Sequence, residues 1–181
     1  MESKVKIFGH PIHAMLIVFP LGLLISAVVF DILYLTSDNP LFAQIAFYNI
    51  SGGLIGGLLA AIFGIIDFTG IPGGTRAKSV GWLHFLGNLI VVLLFALSWL
   101  MRLNTANNIP GTLALLLSFA GVMLGAITAW LGGELVNRLG VGVDPGANLN
   151  APSSLSGAPP QPASRYDPVP VTGEPEEIDE P

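Results

Sequence analysis

The sequence contains no cysteine and few charged residues. Its 181 residues include 7 Lys or Arg and 12 Asp or Glu, so only 10% of the chain is charged. Soluble domains usually carry about 25% charged residues. Without cysteine, this chain cannot form a disulfide, a thiolate nucleophile or a Cys-ligated iron–sulfur cluster. The formal net charge of −5 provides no basic face, which argues against nucleic-acid binding.

Apolar residues are in excess and make up 52% of the chain. They form four long runs, and about 20 residues of helix are enough to cross a bilayer. Every backbone polar group inside a bilayer has to be satisfied within its own segment, which favours helices. The sequence predicts an all-α, polytopic membrane protein, with a four-transmembrane-helix bundle in residues 1–143. We expect its helices at about 11–36, 44–67, 76–102 and 111–139.

The distribution of Lys and Arg predicts how the bundle is oriented. Lys4 and Lys6 precede the first run, Arg76 and Lys78 follow the second, and Arg138 follows the fourth. The other two connections hold a single Arg between them. Because cytoplasmic loops carry an excess of Lys and Arg, we expect a multi-pass protein of the cell (inner) membrane with both termini in the cytoplasm.

Residues 144–181 have a different composition, rich in Pro, Gly, Ser and acids. Such a segment buries too little apolar surface to offset the entropy of ordering it. We therefore predict a disordered, acidic, Pro-rich tail. It is either a docking arm for a partner or a solvated terminus, and we favour the second interpretation.

Small residues and one proline shape the predicted helices. Glycines in the second and fourth runs let helix backbones approach closely, or they clear room for a flat cofactor. Pro20 should cause a modest kink in the first helix, because it removes one backbone hydrogen bond. Thr75 is placed to cap the third helix.

The three histidines lie on the same side of the membrane in the predicted bundle, with His84 the deepest. His10 and His13 stand at the start of the first helix, and His84 follows Thr75 by nine residues, or about 13 Å of helix. Asp67 and Glu134 lie at the ends of the second and fourth helices. Ionisable groups at membrane depth usually face the bundle interior, a cavity or each other. The cluster therefore predicts a site near the cytoplasmic surface, with His84 as its strongest candidate.

Three segments carry a family resemblance. They read HPIHAMLIVFPLGLLISAVVFD, GIIDFTGIPGGTRAKSVGWLH with Asn88 after it, and WLGGELVNRLGVGV. Together they resemble the bacterial membrane family catalogued as domain of unknown function 2231, over about residues 7–145. The resemblance implies a four-helix membrane domain. It also implies a redox setting, with a cytochrome-type or Rieske-type electron carrier as partner.

A b-type haem is the first interpretation of the cluster. Haem iron accepts two axial imidazoles, here His13 or His10 on one side and His84 on the other. Asn88 is one turn deeper than His84, and Arg76 could pair with a propionate at the surface. This interpretation predicts an electron-transfer or accessory subunit of the membrane rather than a stand-alone enzyme.

Two other interpretations stay open. A divalent metal would find imidazole and carboxylate ligands of the kind it accepts. Alternatively, the cluster only holds the helices in register, in a structural anchor subunit without cofactor. The sequence also allows a homo-oligomer. The predicted metal ligands are His10, His13, His84, Asp67 and Glu134.

Overall fold

Four helical spans account for most of the residues that the computed structural model describes, which are 1–158. All four are long and apolar enough to cross a membrane, as predicted. The predicted tail beyond residue 158 lies outside the described residues. The spans are formed by α1 Ile12–Leu16 with α2 Val18–Ser37, by α3 Pro40–Gly70, by α4 Arg76–Arg102, and by α5 Thr112–Gly133 with the π-helical turn Glu134–Arg138.

Local sequence signals explain where the helices begin and break. Thr75 caps α4 by accepting a hydrogen bond from the Lys78 amide at 3.2 Å, as predicted. The first span is interrupted after Leu16. In a continuous helix the N–H of residue 20 would bond the Leu16 carbonyl, but Pro20 has no N–H. The α3 helix begins at Pro40, earlier than the predicted residue 44, because Asn39 caps it.

Short elements close the end of the bundle that carries the N-terminus. Strands β1 Lys6–Ile7 and β2 His10–Pro11 form a small antiparallel hairpin, so His10 precedes the first helix rather than belonging to it. Two further short elements of residues 1–158 are 3-10 turns, Ala106–Asn108 between α4 and α5 at the opposite end, and Ser154–Ser156 beside His10. Residues 144–158, the described part of the predicted tail, form turns beside the second of these.

The spans pack as two helical hairpins, α2 with α3 and α4 with α5. Small residues allow this packing: a β-carbon at Gly53 would lie 2.5 Å from the side chain of Leu24, and one at Gly121 would lie 2.7 Å from Phe95. These two glycines therefore serve helix contact. Large apolar side chains on the outer faces of the helices are exposed, as expected of surfaces that meet lipid. The shared core contains Leu24, Ala27, Val28, Ala46, Ile50, Val91 and Phe95.

Candidate functional site

His13 bridges the first hairpin. Its Nδ1 lies 2.8 Å from the carbonyl oxygen of Ala60 in α3. The imidazole rests on Gly64, where a β-carbon would come within 2.8 Å of the ring. A glycine at this place in α3 therefore admits the ring between the two helices.

His84 bridges the second hairpin in the same way. Its Nδ1 lies 2.9 Å from the carbonyl oxygen of Thr128 in α5. Its ring rests on Gly132, where a β-carbon would lie 3.1 Å from the ring. The amide nitrogen of Asn88 lies 3.2 Å from His84 Nε2 and 2.8 Å from the His84 carbonyl. Thr128 in turn donates its hydroxyl to the Asn88 side-chain oxygen at 3.1 Å.

These bonds assign the same tautomer to both rings. A carbonyl oxygen only accepts, so Nδ1 of His13 and of His84 carries the proton and Nε2 carries the lone pair. Histidines that bind metals are commonly oriented in this way, through an Nδ1–H donated to a carbonyl. The structure thus orients two of the predicted site residues in the same way, with Asn88 beside His84.

Four other predicted site residues are engaged elsewhere. Asp67 accepts hydrogen bonds of 2.7 Å from the Ser3 hydroxyl and the Lys4 amide, which fastens the N-terminal segment to α3. His10 is exposed and has Nε2 3.4 Å from the Ser154 hydroxyl. Glu134 forms a 2.6 Å ion pair with Arg76, a residue predicted to face a haem propionate.

The predicted metal ligands do not form one set. Among residues 1–158, no group of three or more His, Cys, Asp or Glu side chains could hold a metal ion. The divalent-metal interpretation therefore gains no geometric support within the described residues.

The sequence analysis missed a polar cluster at the opposite end of the bundle. Arg102 and Asp31 form a bidentate ion pair, with nitrogen–oxygen distances of 2.6 and 2.7 Å, and both side chains are 0% exposed. The guanidinium also bonds the hydroxyls of Ser98 and Ser118, at 3.2 and 3.1 Å. The sequence did contain a signal for this pair. Asp31 and Arg102 are a single acid and a single base, and both lie at the ends of apolar runs that the predicted topology places on the same side of the membrane.

Every charged nitrogen and oxygen of this cluster has a hydrogen-bond partner. Ser98 and Ser118 contact each other at 2.8 Å, and Ser98 lies 2.7 Å from the carbonyl of Ala114. Within the described residues, every buried side-chain nitrogen and oxygen has a partner. A buried ion pair is tolerated when its geometry is good and its remaining polar atoms are satisfied, and both conditions hold here.

Comparisons with known proteins identify the chain at family level. Neither the curated proteins nor the solved structures gave a match. The family described as "Predicted membrane protein (DUF2231)" matches residues 9–145, which include all four spans and both polar clusters. The chain therefore belongs to DUF2231, a family of predicted membrane proteins.

Proposed function

We propose that this protein is an integral membrane subunit that holds a b-type haem through Nε2 of His13 and Nε2 of His84. One observation carries the proposal. Both imidazoles are fixed by an Nδ1 bond to a backbone carbonyl of the neighbouring helix, which directs the lone pair of each ring away from that bond. Histidine donors oriented in this way suit an axial ligand of haem iron.

The residues present fit such a group in their donor chemistry. The carbonyls of Ala60 and Thr128 would keep both rings in the ligand tautomer, and Asn88 would have to release His84 Nε2. Arg76 could contact a propionate only by leaving Glu134, a partner at the exposed surface. A bound haem would supply one-electron transfer at a potential that the protein tunes by burial and hydrogen bonds.

A partner follows from the same chemistry. The chain has three histidines and no cysteine, so it offers a single bis-histidine pair here and no Cys-ligated iron–sulfur cluster. One redox centre cannot carry electrons across a whole bilayer on its own. We therefore propose a cytochrome-type or Rieske-type electron carrier as the protein that delivers or receives the electron.

An absorbance difference spectrum tests the haem. The protein is purified in mild detergent from a haem-supplied host and recorded as dithionite-reduced minus oxidised. We expect a sharp reduced α-band in the wild type that is lost in His13→Ala and in His84→Ala. His10→Ala is the matched control and should keep the band, because His10 is exposed beside Ser154. A featureless spectrum from folded wild-type protein would refute the proposal.

A structural anchor subunit is the second candidate, and it too has a specific observation in its favour. Each histidine already joins two helices of a hairpin, and the buried side-chain polar atoms of residues 1–158 are all partnered. In this case His84→Ala should lower stability without any spectral change, and the wild type should be colourless. Interhelical hydrogen bonds in membranes contribute about 0.6 kcal/mol on average, so the expected loss is small.

We also propose that both termini face the cytoplasm. Five of the chain's cations, Lys4, Lys6, Arg76, Lys78 and Arg138, lie at the end that carries the N-terminus. The cation at the opposite end, Arg102, is buried and neutralised by Asp31, which strengthens the asymmetry of exposed charge.

Cysteine labelling tests this orientation, because the chain has no cysteine of its own. Gly73 and Gly111 lie in connections at opposite ends, and neither has a neighbour that a β-carbon would meet. In intact cells, a membrane-impermeant maleimide should label Gly111→Cys, and it should label Gly73→Cys only after permeabilisation. The reverse pattern would show the opposite orientation.

A further inference from the structure

We propose that the membrane domain is a tandem repeat of one helical hairpin, and that Asp31 and Arg102 are equivalent positions whose opposite charges fix the pairing of the two halves. The first half is α1 and α2 with α3, and the second is α4 with α5. The proposal rests on equal spacing, equal burial and equal contacts, and it holds whether or not a cofactor is bound.

The first helices of the two halves correspond with a spacing of 71 residues. His84 lies 71 residues after His13, and Arg102 lies 71 residues after Asp31. Two other pairs have the same spacing, and both residues of each pair are buried. These pairs are Leu24 with Phe95 and Ala27 with Ser98.

The second helices correspond with a spacing of 68 residues. Every buried residue of α5 has a buried counterpart 68 positions earlier in α3. The difference of three residues arises between the first and second helix of each half, because Ala46 follows Asp31 by 15 positions and Ala114 follows Arg102 by 12. The buried pairs are Ala46 with Ala114, Ile50 with Ser118, Gly53 with Gly121, and Ala60 with Thr128.

The same contacts occur in both halves under these two spacings. Each histidine bonds the carbonyl of the equivalent residue, Ala60 or Thr128, at 2.8 and 2.9 Å. Each imidazole then rests on the equivalent glycine one turn later, Gly64 or Gly132. In the same way, Leu24 covers Gly53 and Phe95 covers Gly121. Such a set of matched contacts is not required by four apolar helices alone.

The contacts between the halves follow a two-fold relation. In a two-fold pair, a contact between α3 and α4 requires an equivalent contact between α5 and α2, and both are present. A residue that meets its own equivalent lies on the axis of such a pair. Asp31 meets Arg102, with nitrogen–oxygen distances of 2.6 and 2.7 Å.

Opposite charges at an axis position have a consequence for pairing. Two copies of the first half would bury two carboxylates against each other, and two copies of the second half would bury two guanidinium groups. Because like charges cannot be buried together without a large cost, Asp31 and Arg102 favour the pairing of unlike halves over like halves.

Distances between spin labels test the two-fold relation in the full chain. Val29 and Leu100 are exposed equivalents in the first helices, and Ile55 and Met123 are exposed equivalents in the second. After cysteine substitution and labelling, the distance 29–55 should match 100–123. The decisive comparison is between the halves, where 29–123 should match 55–100. Distributions with different means for that second comparison would overturn the proposal.

Exchange of side chains between equivalent positions tests the role of the charges. Asp31→Arg alone and Arg102→Asp alone bury like charges, so both should fail to give folded protein in detergent. The six-residue exchange moves the pair together with its surroundings, and it should recover folded protein in greater yield than the reversal of the two charges alone. A six-residue exchange that recovers no more folded protein than Asp31→Arg would contradict the equivalence. The six changes are Asp31→Arg, Arg102→Asp, Ala27→Ser, Ser98→Ala, Ile50→Ser and Ser118→Ile.

Discussion

The two ends of the bundle hold their polar residues in different ways. At one end, Asp31 and Arg102 are completely buried and use each other as partners at 2.6 and 2.7 Å. At the other end, His13 and His84 are only partly buried, and each is held at Nδ1 by a backbone carbonyl. In the first arrangement every charged atom is buried and already has a partner. The second arrangement holds each imidazole ring by Nδ1. It leaves Nε2 for partners that can be exchanged, such as Asn88 beside His84.

The largest expected effect is the loss of the buried ion pair. Arg102→Ala would leave the Asp31 carboxylate buried without its partner, which costs about 3–5 kcal/mol. We expect the free energy of unfolding, measured by SDS titration in mixed micelles, to fall by about this amount.

Arg76→Ala is the control for that change. Arg76 also forms a 2.6 Å ion pair, with Glu134, but its side chain is 61% exposed. Exposed ion pairs contribute about 0–1 kcal/mol, so this variant should unfold close to the wild type. If the two variants lost equal stability, burial would not be what separates the two ends.

An intermediate effect is expected where a histidine rests on a glycine. A β-carbon in Gly64→Ala would lie 2.8 Å from the His13 ring, so the ring has to move away from the Ala60 carbonyl. Overpacking of this kind typically costs about 1–3 kcal/mol. In the matched variant Gly57→Ala, the new carbon would lie at an ordinary 3.6 Å from Pro20, and stability should be nearly unchanged. Equal losses in both variants, measured by the same SDS titration, would mean that the His13 contact is unimportant.

The smallest effect sharpens the comparison most. Asn88→Ala removes an amide that lies 3.2 Å from His84 Nε2 in the same helix and that accepts the Thr128 hydroxyl of α5 at 3.1 Å. The loss of that interhelical bond should cost about 0.6 kcal/mol, the average in a membrane. Because the ring nitrogen then has one competitor fewer, haem affinity measured by haemin titration should rise. A fall in affinity as large as that in His84→Ala would instead make Asn88 part of the site.

The features predicted from the sequence are those encoded locally. The four apolar spans, the Thr75 cap and the kink expected at Pro20, where the structure interrupts the helix after Leu16, each depend on a short segment and its own backbone. The early start of α3 was also locally encoded, since Asn39 precedes Pro40 as a cap precedes a first helical proline, but hydrophobicity alone did not show it.

The partners of the polar residues could not be predicted in the same way. The histidines bond backbone carbonyls, and a carbonyl leaves no signature in the sequence. The bond between Asp31 and Arg102 depends on how two helices are rotated about their axes, which periodicity does not show in helices that are apolar on every side. The sequence did not show the repeat either. The two halves resemble each other in which positions are buried and which residues are in contact, more than in residue identity.

The most direct test of the account is unfolding in the presence of haemin. A ligand that binds only the folded state raises its stability in proportion to the logarithm of ligand concentration above Kd. We predict that haemin raises the unfolding midpoint of the wild type and of Arg102→Lys by the same increment, and leaves His84→Ala unchanged. This result would assign ligand binding to the histidine end and stability to the ion-pair end. No increment in the wild type, or an equal one in His84→Ala, would contradict the account.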